Sequence, residues 1–438
     1  MEIAKANGLS VAAEIVEGPL SKEAGMQITD SEAFDVLTPA NLQEPFLLFA
    51  KLRREMPVYW NEKYSFWMLT RYQDVKAALR SPGQFSSATG AEIEERRAQF
   101  PESVRPFFDV CKRFVYAHFQ AADPPEHTEQ RHAVMGAFTP QIVGELRGAV
   151  QQRADDLLDK MERGTGICDF LSEFAYPLPS MVIFDLLGVP AGYQETLRQA
   201  SRAFGDFARS MYAKDSKKIR EIAMEFTEAE RAINEVINAR QIEPKNDLIS
   251  RLVSSQGAAA EMSASELVVL CNFLLVAGHE TTANLLGGSL RYLLESRELW
   301  EQLRAAPDMI PAAVEELLRF VSPVLWVSRV AAEDIELNGE VLRKGQRIQL
   351  GIGAANHDPG EFDHPEQLDF TRPKVNSLAF GYGPHFCVGA ALAKMEAQVA
   401  LSRLLDRIPE VELGTRQFEY RPLYFLRALK ALPIVVRR

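Results

Sequence analysis

The stretch that most constrains this chain runs from residue 380 to residue 390 and reads Phe-Gly-Tyr-Gly-Pro-His-Phe-Cys-Val-Gly-Ala. It places Cys387 among three glycines and a proline, and an alanine-rich helical pattern follows directly. Glycines let the backbone approach a flat ligand closely, and a helix N-terminus lowers the pKa of a nearby thiol. The stretch therefore predicts a binding loop in which Cys387 is a thiolate ligand. The alternative interpretation is a buried structural cysteine at a glycine-rich turn.

The remaining cysteines, Cys111, Cys168 and Cys271, are too scattered for a disulfide framework or a Cys-x-x-Cys zinc site, and we interpret them as small apolar residues of a reducing compartment. The net charge of −11 argues against a nucleic-acid-binding protein. The N-terminus lacks the apolar core of a signal peptide, and the most apolar stretch, 267–278, is too short to span a bilayer. We therefore expect a cytoplasmic protein without a membrane anchor.

Apolar periodicity predicts a mostly α-helical chain with small β-sheets near both ends, which is an α+β fold. Neither an internal repeat nor a Gly/Ser/Pro-rich linker divides the chain. We expect an N-terminal tail at 1–28 and one large domain at 29–438. The clearest predicted helices are 45–56, 142–163, 219–240, 264–298 and 388–408, and the clearest strands are 58–70, 324–330, 335–337, 347–350 and 432–436.

The run F-G-x-G-x-H-x-C-x-G-A resembles, without a mismatch, the haem-binding loop of the cytochromes P-450. Glu316 and Arg319, spaced to pair on one helix face, are similar to the family's E-x-x-R motif, and Arg372 resembles the arginine that completes its network. Two departures are His357, where an arginine is common, and Ser377, where a histidine often stands. The resemblance implies the cytochrome P-450 fold for residues 29–438, enclosing haem b (iron protoporphyrin IX).

The resemblance implies Cys387 as the iron ligand and four side chains as partners of the haem propionates, because buried carboxylates need cationic partners. Phe380 and Gly389 belong to the same cofactor-binding loop. Asp123-Pro124-Pro125-Glu126 reads as a helix start with Asp123 as N-cap. The four propionate partners are His127, Arg131, Arg329 and His385.

Residues 277–282, Ala-Gly-His-Glu-Thr-Thr, lie within the longest predicted helix. A zinc metalloprotease interpretation fails because position 283 is alanine rather than histidine. The segment is similar to the family's A-G-x-[D/E]-T-T pattern, which implies that Ala277 and Gly278 leave room above the iron. The same resemblance implies that Thr281 and Glu280 deliver protons for activation of O2; peroxide-using relatives lack such a pair.

The resemblance also implies an external electron source, because 438 residues contain no visible flavin or iron–sulfur module. We expect a ferredoxin and its reductase as partners. Lys112, Arg113, Arg131 and Lys394 are candidates for a basic docking patch on the cysteine side.

Substrate contacts are expected from Phe273, Val324, Leu325 and Tyr424. These residues are mostly apolar or aromatic, which favours a hydrophobic small-molecule substrate. Tyr116, Arg113 and Tyr424 are candidates for polar contacts to it.

The predicted activity is a haem-thiolate monooxygenase that inserts one oxygen atom of O2 into its substrate. Three alternatives stay open at this stage: a haem sensor or carrier without oxidation activity, a peroxide-driven haem-thiolate enzyme, and a Cys/His zinc protein.

Overall fold

Three of the long helices, at Pro140–Arg163, Ser216–Ile242 and Ala264–Glu295, begin at capping side chains, those of Thr139, Asp215 and Ser263. The computed structural model describes residues 38–136, 138–164, 166–254 and 262–436, so the predicted tail at 1–28 lies outside the described residues. The helices of the first half are α1 (Pro39–Gln43), α2 (Pro45–Glu55), α3 (Tyr72–Arg80), α4 (Gly90–Ala98), α5 (Arg105–Tyr116), α6 (Glu126–Met135), α7 (Pro140–Arg163), α8 (Pro177–Leu187), α9 (Ala191–Tyr212) and α10 (Ser216–Ile242). Those of the second half are α11 (Leu248–Val253), α12 (Ala264–Glu295), α13 (Arg297–Ala305), α14 (Ile310–Val321), α15 (Ile352–Ala355) and α16 (Ala390–Arg407).

Helix α12 is the central element of the molecule. Its start is fixed by a capping box in which the Ser263 hydroxyl accepts from the Glu266 N–H and the Glu266 carboxylate accepts from the Ser263 N–H. Most of its 32 residues are buried, as expected for a helix that is apolar on every side. Gly288 allows close packing on α14, since a Cβ there would lie 2.5 Å from Val321 Cγ1.

The strands form three small sheets. They are β1 (Val58–Asn61), β2 (Phe66–Leu69), β3 (Phe85–Ser86), β4 (Ile167–Asp169), β5 (Trp326–Ala331), β6 (Ile335–Leu337), β7 (Glu340–Leu342), β8 (Arg347–Gly351), β9 (Val411–Leu413) and β10 (Pro433–Val436). The largest sheet has the order β1-β2-β8-β5-β3, in which β2 and β8 run parallel and the other pairs antiparallel. The other two have the orders β4-β10-β9 and β6-β7.

The predicted α+β class is confirmed, and most predicted elements lie within a few residues of their observed bounds. The predicted strand over 58–70 is a hairpin of two strands, β1 and β2. The short strand β4 within the predicted helical region was missed, because three residues carry too little periodicity. Within the described part of the chain, every helix is too short or too polar to cross a membrane.

A buried ion-pair network locks α14 to the segment that leads to the Cys387 loop. Arg319 and Glu316 are both fully buried and lie 2.7 Å apart, and Arg372 reaches the same carboxylate at 2.9 Å. Arg319 also donates to the carbonyl groups of Asn356, Pro365 and Gln367 at 2.9, 2.8 and 3.0 Å. The network predicted from Glu316, Arg319 and Arg372 is therefore present.

Candidate functional site

Cys387 lies in a tight loop that ends at the first turn of α16. The Cys387 N–H donates to the Phe380 carbonyl at 2.9 Å, which closes the loop. Gly381 and Gly383 have φ values of 71° and 73°, a region that favours glycine. A Cβ at Gly383 would also lie 2.7 Å from the Leu79 carbonyl oxygen, so this glycine allows the loop to rest against α3.

The electrostatic environment of Cys387 differs from the prediction. Burial raises the pKa of the thiol, and this effect outweighs the Gly389 N–H and the Arg131 guanidinium, which both lower it. The predicted lowering by the helix N-terminus is therefore wrong for the protein alone, because removal from water disfavours the thiolate more than the helix favours it. A metal ion is a larger local charge than either group, and a thiol that coordinates one is deprotonated.

Cys387 faces a cavity of about 240 Å³ between α12, β5 and the cysteine loop. Of the residues predicted to form the site, those that line it are Phe273, Ala277, Gly278, Thr281, Val324, Arg131, Arg329, Phe380, His385, Cys387 and Gly389.

Cationic and imidazole side chains gather at one edge of the cavity. Arg131 donates to the Phe386 carbonyl at 2.6 Å, and Arg329 donates to the Ser328 carbonyl at 2.7 Å. Arg329 is buried, and this burial lowers its pKa to about 10. The His127 ring lies 4.1 Å from the His385 ring, although His127 itself is not part of the cavity wall.

These residues fit the haem that the sequence resemblance implies. Within the described part of the chain, both ring nitrogens of His127 and Nδ1 of His385 are buried without a hydrogen-bond partner. Arg329 makes few hydrogen bonds for a buried guanidinium, which has five N–H donors. A group with two carboxylates satisfies such a set, and the thiol and the apolar cavity walls suit an iron porphyrin.

Thr281 and Glu280 are consecutive residues of α12 that face different surroundings. Thr281 lines the cavity, and its hydroxyl donates to the Ala277 carbonyl at 2.8 Å. Glu280 is buried and pairs with Arg421 at 2.6 Å; burial raises the pKa of its carboxyl, and Arg421 opposes this. The Arg421 side chain is 22 % exposed, so the pair connects the centre of α12 with the surface.

Two residues expected at the substrate pocket lie elsewhere. Leu325 packs in a separate apolar cluster with Phe49 and Trp326. Tyr424 lies beside Phe66, with ring centroids 6.1 Å apart. Neither side chain is part of the cavity wall, so their contact with a substrate stays a prediction.

Other local predictions need correction. Lys112 pairs with Glu94, and Arg113 pairs with Glu230 of α10, so these two cations belong to α5 and its neighbours rather than to the cysteine side. Asp123 does not cap α6, whose N-cap is Pro125, because its carboxylate accepts the Ser87 N–H at 2.8 Å instead.

The sequence analysis missed three polar residues of the site. Arg421 comes from the C-terminal loop, far from α12 in sequence, and no local pattern signals the contact. The Ser87 hydroxyl lies 3.0 Å from His385 Nε2. Glu396 of α16 lines the cavity and is buried, and this burial raises the pKa of its carboxyl well above the usual range. Its position three residues after Ala393 and seven after Gly389, on the helix face that lines the cavity, was the available signal.

Comparison with known proteins places the chain among well-described relatives. Residues 36–411 match the family described as Cytochrome P450. The polyketide biosynthesis cytochrome P450 PksS of Bacillus subtilis is 36% identical over 399 residues, which are 89% of this chain and 95% of PksS. Its solved structure has a TM-score of 0.82 at 34% identity and covers 92% of this chain and 100% of that chain. P450BioI, solved in complex with an acyl carrier protein ligated to hexadec-9Z-enoic acid, has a TM-score of 0.81 at 31% identity, with 93% and 100% covered.

Proposed function

Because this chain belongs to the cytochrome P450 family and is a P450 monooxygenase, we propose that it activates O2 with electrons from a separate ferredoxin and oxidises a largely apolar molecule beside Cys387. The observation that carries the proposal is the single cavity lined by Cys387, Thr281 and the cations Arg131 and Arg329. Overall, substrate, O2, two electrons and two protons yield the oxygenated product and water. When bound, the haem supplies the iron at which O2 is reduced.

The residues of the protein divide this work between binding and proton transfer. Cys387 binds the iron, and Arg131, Arg329, His385 and His127 bind the two propionates. Thr281 holds a proton at its hydroxyl in the cavity wall, where the reaction consumes protons. The Glu280 carboxyl replenishes it, because Glu280 precedes Thr281 on the helix and its partner Arg421 is partly exposed, so solvent reaches this position.

The substrate is a molecule with an extended apolar body. The cavity wall is formed mainly by residues such as Phe273, Ile183, Val324 and Val327, and apolar walls bind apolar ligands without leaving polar groups unpaired. The relatives point to chains of this kind: PksS is named for polyketide biosynthesis, and P450BioI was solved with a hexadecenoic acid carried by a protein.

The ferredoxin docks on the cysteine side at a surface different from the predicted basic patch. Tyr382 and Phe386 of the cysteine loop are 38% and 43% exposed, and Met135 at the end of α6 is 49% exposed. Lys76 and Arg80 of α3 lie 5.1 and 6.0 Å from the Tyr382 ring. Exposed aromatic, methionine and arginine side chains are enriched at protein interfaces, and the cations complement an acidic partner.

The absorption spectrum of the reduced, carbon-monoxide-bound protein tests the thiolate ligand. We expect a shifted Soret band in the parent protein and its loss in Cys387→Ser, with Cys271→Ser as a control that keeps it. A parent protein without the shifted band would contradict the proposal.

Electron transfer is tested by NADH consumption with ferredoxin, ferredoxin reductase and a candidate substrate. We expect NADH consumption that yields oxygenated product, and a several-fold higher KM for ferredoxin in Arg80→Glu. A haem sensor would consume no NADH, and a peroxide-driven enzyme would form product only when peroxide is added.

A further inference from the structure

A second cluster of polar side chains lies outside the haem cavity, and no step above uses it. We call it the Arg347 cluster. It consists of Arg347 of β8, Glu92 and Arg96 of α4, Tyr116 at the end of α5, Tyr212 at the end of α9, and Tyr424 of the C-terminal loop. Six residues from five separate segments meet at this point.

Arg347 is the centre of the cluster. Its guanidinium is 7% exposed, pairs with Glu92 at 2.7 Å and donates to the Tyr212 hydroxyl at 2.6 Å. It also donates to the Tyr64 carbonyl. Arg96 lies 3.5 Å from the same Glu92 carboxylate and stacks 4.5 Å from the Tyr212 ring.

The charges and donors of the cluster are not balanced. Two guanidinium groups share one carboxylate, and the next two carboxylates along α4, those of Glu94 and Glu95, are exposed. The Tyr424 hydroxyl is buried and has no hydrogen-bond partner among the residues that the structure describes. A buried hydroxyl without an acceptor beside an excess of positive charge is a costly arrangement. One anionic group bound there would satisfy the hydroxyl and neutralise the second arginine.

The cluster and the haem cavity approach each other through neighbouring residues of the C-terminal loop. Tyr424 belongs to the cluster, while the next residue, Phe425, packs on the same small apolar group (Leu423, Leu426 and Ala428) as Val324, which lines the cavity. On the other side, Tyr116 precedes Phe119 by three residues, and Phe119 also lines the cavity. A ligand of moderate length therefore spans from the cluster to the cavity once the side chains between them move aside.

We propose that the Arg347 cluster binds the anionic end, a carboxylate or a phosphate, of a substrate whose apolar body extends into the cavity beside Cys387. Arginine forks and tyrosine hydroxyls are suited to such oxygen groups. The inference rests on the proposed function, which places the apolar body of the substrate in the cavity beside Cys387. It adds the chemical class of the group at the opposite end of the substrate.

Calorimetric titration of the oxidised, haem-loaded protein without reductant tests this binding directly. The ligands are decanoate, decyl phosphate and decanol, which share a ten-carbon chain and differ at one end. We expect one of the two anions to bind at least ten-fold more tightly than decanol, and the tighter one identifies the group. Equal affinity for both anions and the alcohol would overturn the proposal.

Tyr424→Phe is the sharpest variant, because it removes a hydroxyl that has no partner among the described residues. We expect an unchanged or higher melting temperature and about ten-fold weaker binding of the anion, the effect of one hydrogen bond to a charged group. Decanol affinity should not change. Tyr193→Phe, which removes a hydroxyl bonded to Glu235 on the surface, is the matched control. Equal loss for anion and alcohol in Tyr424→Phe would overturn the assignment.

The Glu92→Gln variant should change the anion affinity in the direction opposite to Tyr424→Phe. It removes the internal carboxylate that competes for Arg347, so we expect anion binding to tighten several-fold even though the ion pair is lost. If the cluster only stabilises the fold, Glu92→Gln should lower the melting temperature of the protein without tightening anion binding. The titration needs no turnover. A negative result there would contradict only the anion site, whereas the absence of the shifted Soret band would contradict the proposed function.

Discussion

Replacement of Arg319 by lysine tests the most deeply buried charge of the molecule. The Arg319 guanidinium makes five hydrogen bonds, two to the Glu316 carboxylate and three to backbone carbonyl groups, and its side chain is fully buried. Lysine keeps the charge but offers three donors from one atom, so it cannot reproduce the planar fork.

The expected loss of unfolding free energy follows from these five hydrogen bonds. At least two of the five acceptors lose their donor, and a buried acceptor left without a partner costs about 1–3 kcal/mol. The total is about 3–5 kcal/mol, in the range found when a buried ion pair is broken. With an unfolding entropy of about 2.1 cal/mol/K per residue, a chain of 438 residues loses roughly 3–5 °C of melting temperature.

Thermal unfolding followed by circular dichroism measures the change, and the haem content per protein reports whether the cysteine loop still binds its cofactor. Arg231→Lys is the matched control, because Arg231 pairs with Glu228 and Glu235 on an exposed helix face. Its effect should stay below about 0.5 kcal/mol. An Arg319→Lys protein as stable as the parent would refute the reasoning from buried donors.

Three further changes have defined outcomes. Thr281→Ala should retain the haem but release a larger share of the electrons as peroxide, measured as product formed per NADH; tightly coupled turnover would contradict the role of the hydroxyl. Gly288→Ala should destabilise the protein by about 1–3 kcal/mol through overpacking, whereas Gly144→Ala, in a helix position with open space around it, should stabilise it by up to about 1 kcal/mol. Burial lowers the pKa of His279 to about 4 and that of His357 to about 3. The unfolded chain therefore binds protons that the folded protein does not, so the free energy of unfolding is highest above pH 6.5 and should decrease as the pH falls toward 4. The expected loss at pH 5.5 is about 1.4 kcal/mol per histidine. A melting temperature that is flat from pH 7 to pH 5 would refute this.

The sequence indicated the parts of the site that lie within one element or carry a motif. Cys387 and Phe380 belong to one loop, Ala277 and Thr281 to one helix turn, and Glu316 with Arg319 to one helix face, so local spacing predicted their proximity. Residue roles that depend on the cofactor, such as those of His127 and Arg329, stay predictions.

Contacts between distant segments were not predictable in the same way. Arg421 reaches Glu280 from the C-terminal loop, and nothing in either segment signals the partner. Leu325 and Tyr424 do not reach the cavity wall, because both pack in a separate apolar cluster with Phe49 and Phe66, which come from a distant part of the sequence. The sign of the pKa shift at Cys387 depends on burial, which only the assembled structure defines.

His357 shows how a departure from a family pattern is accommodated. Its ring is buried, bonds to the Gly353 carbonyl at 3.0 Å and stacks near Phe46 at 4.1 Å. The site of a common arginine is thus filled by a neutral ring that packs against α2.

The parallel pairing of β2 with β8 has a consequence for synthesis of the chain. Phe66 of β2 pairs with Arg347 of β8, so β2 is synthesised long before the strand with which it pairs. Contacts between such distant positions form slowly, because a long loop must close first. While the ribosome is still translating the middle of the chain, β1 and β2 form a hairpin with an unpaired edge, which is prone to aggregation. The Cys387 loop, at residues 380–390, is made later still, so the haem-binding loop that the sequence predicts is complete only after most of the given sequence has been synthesised.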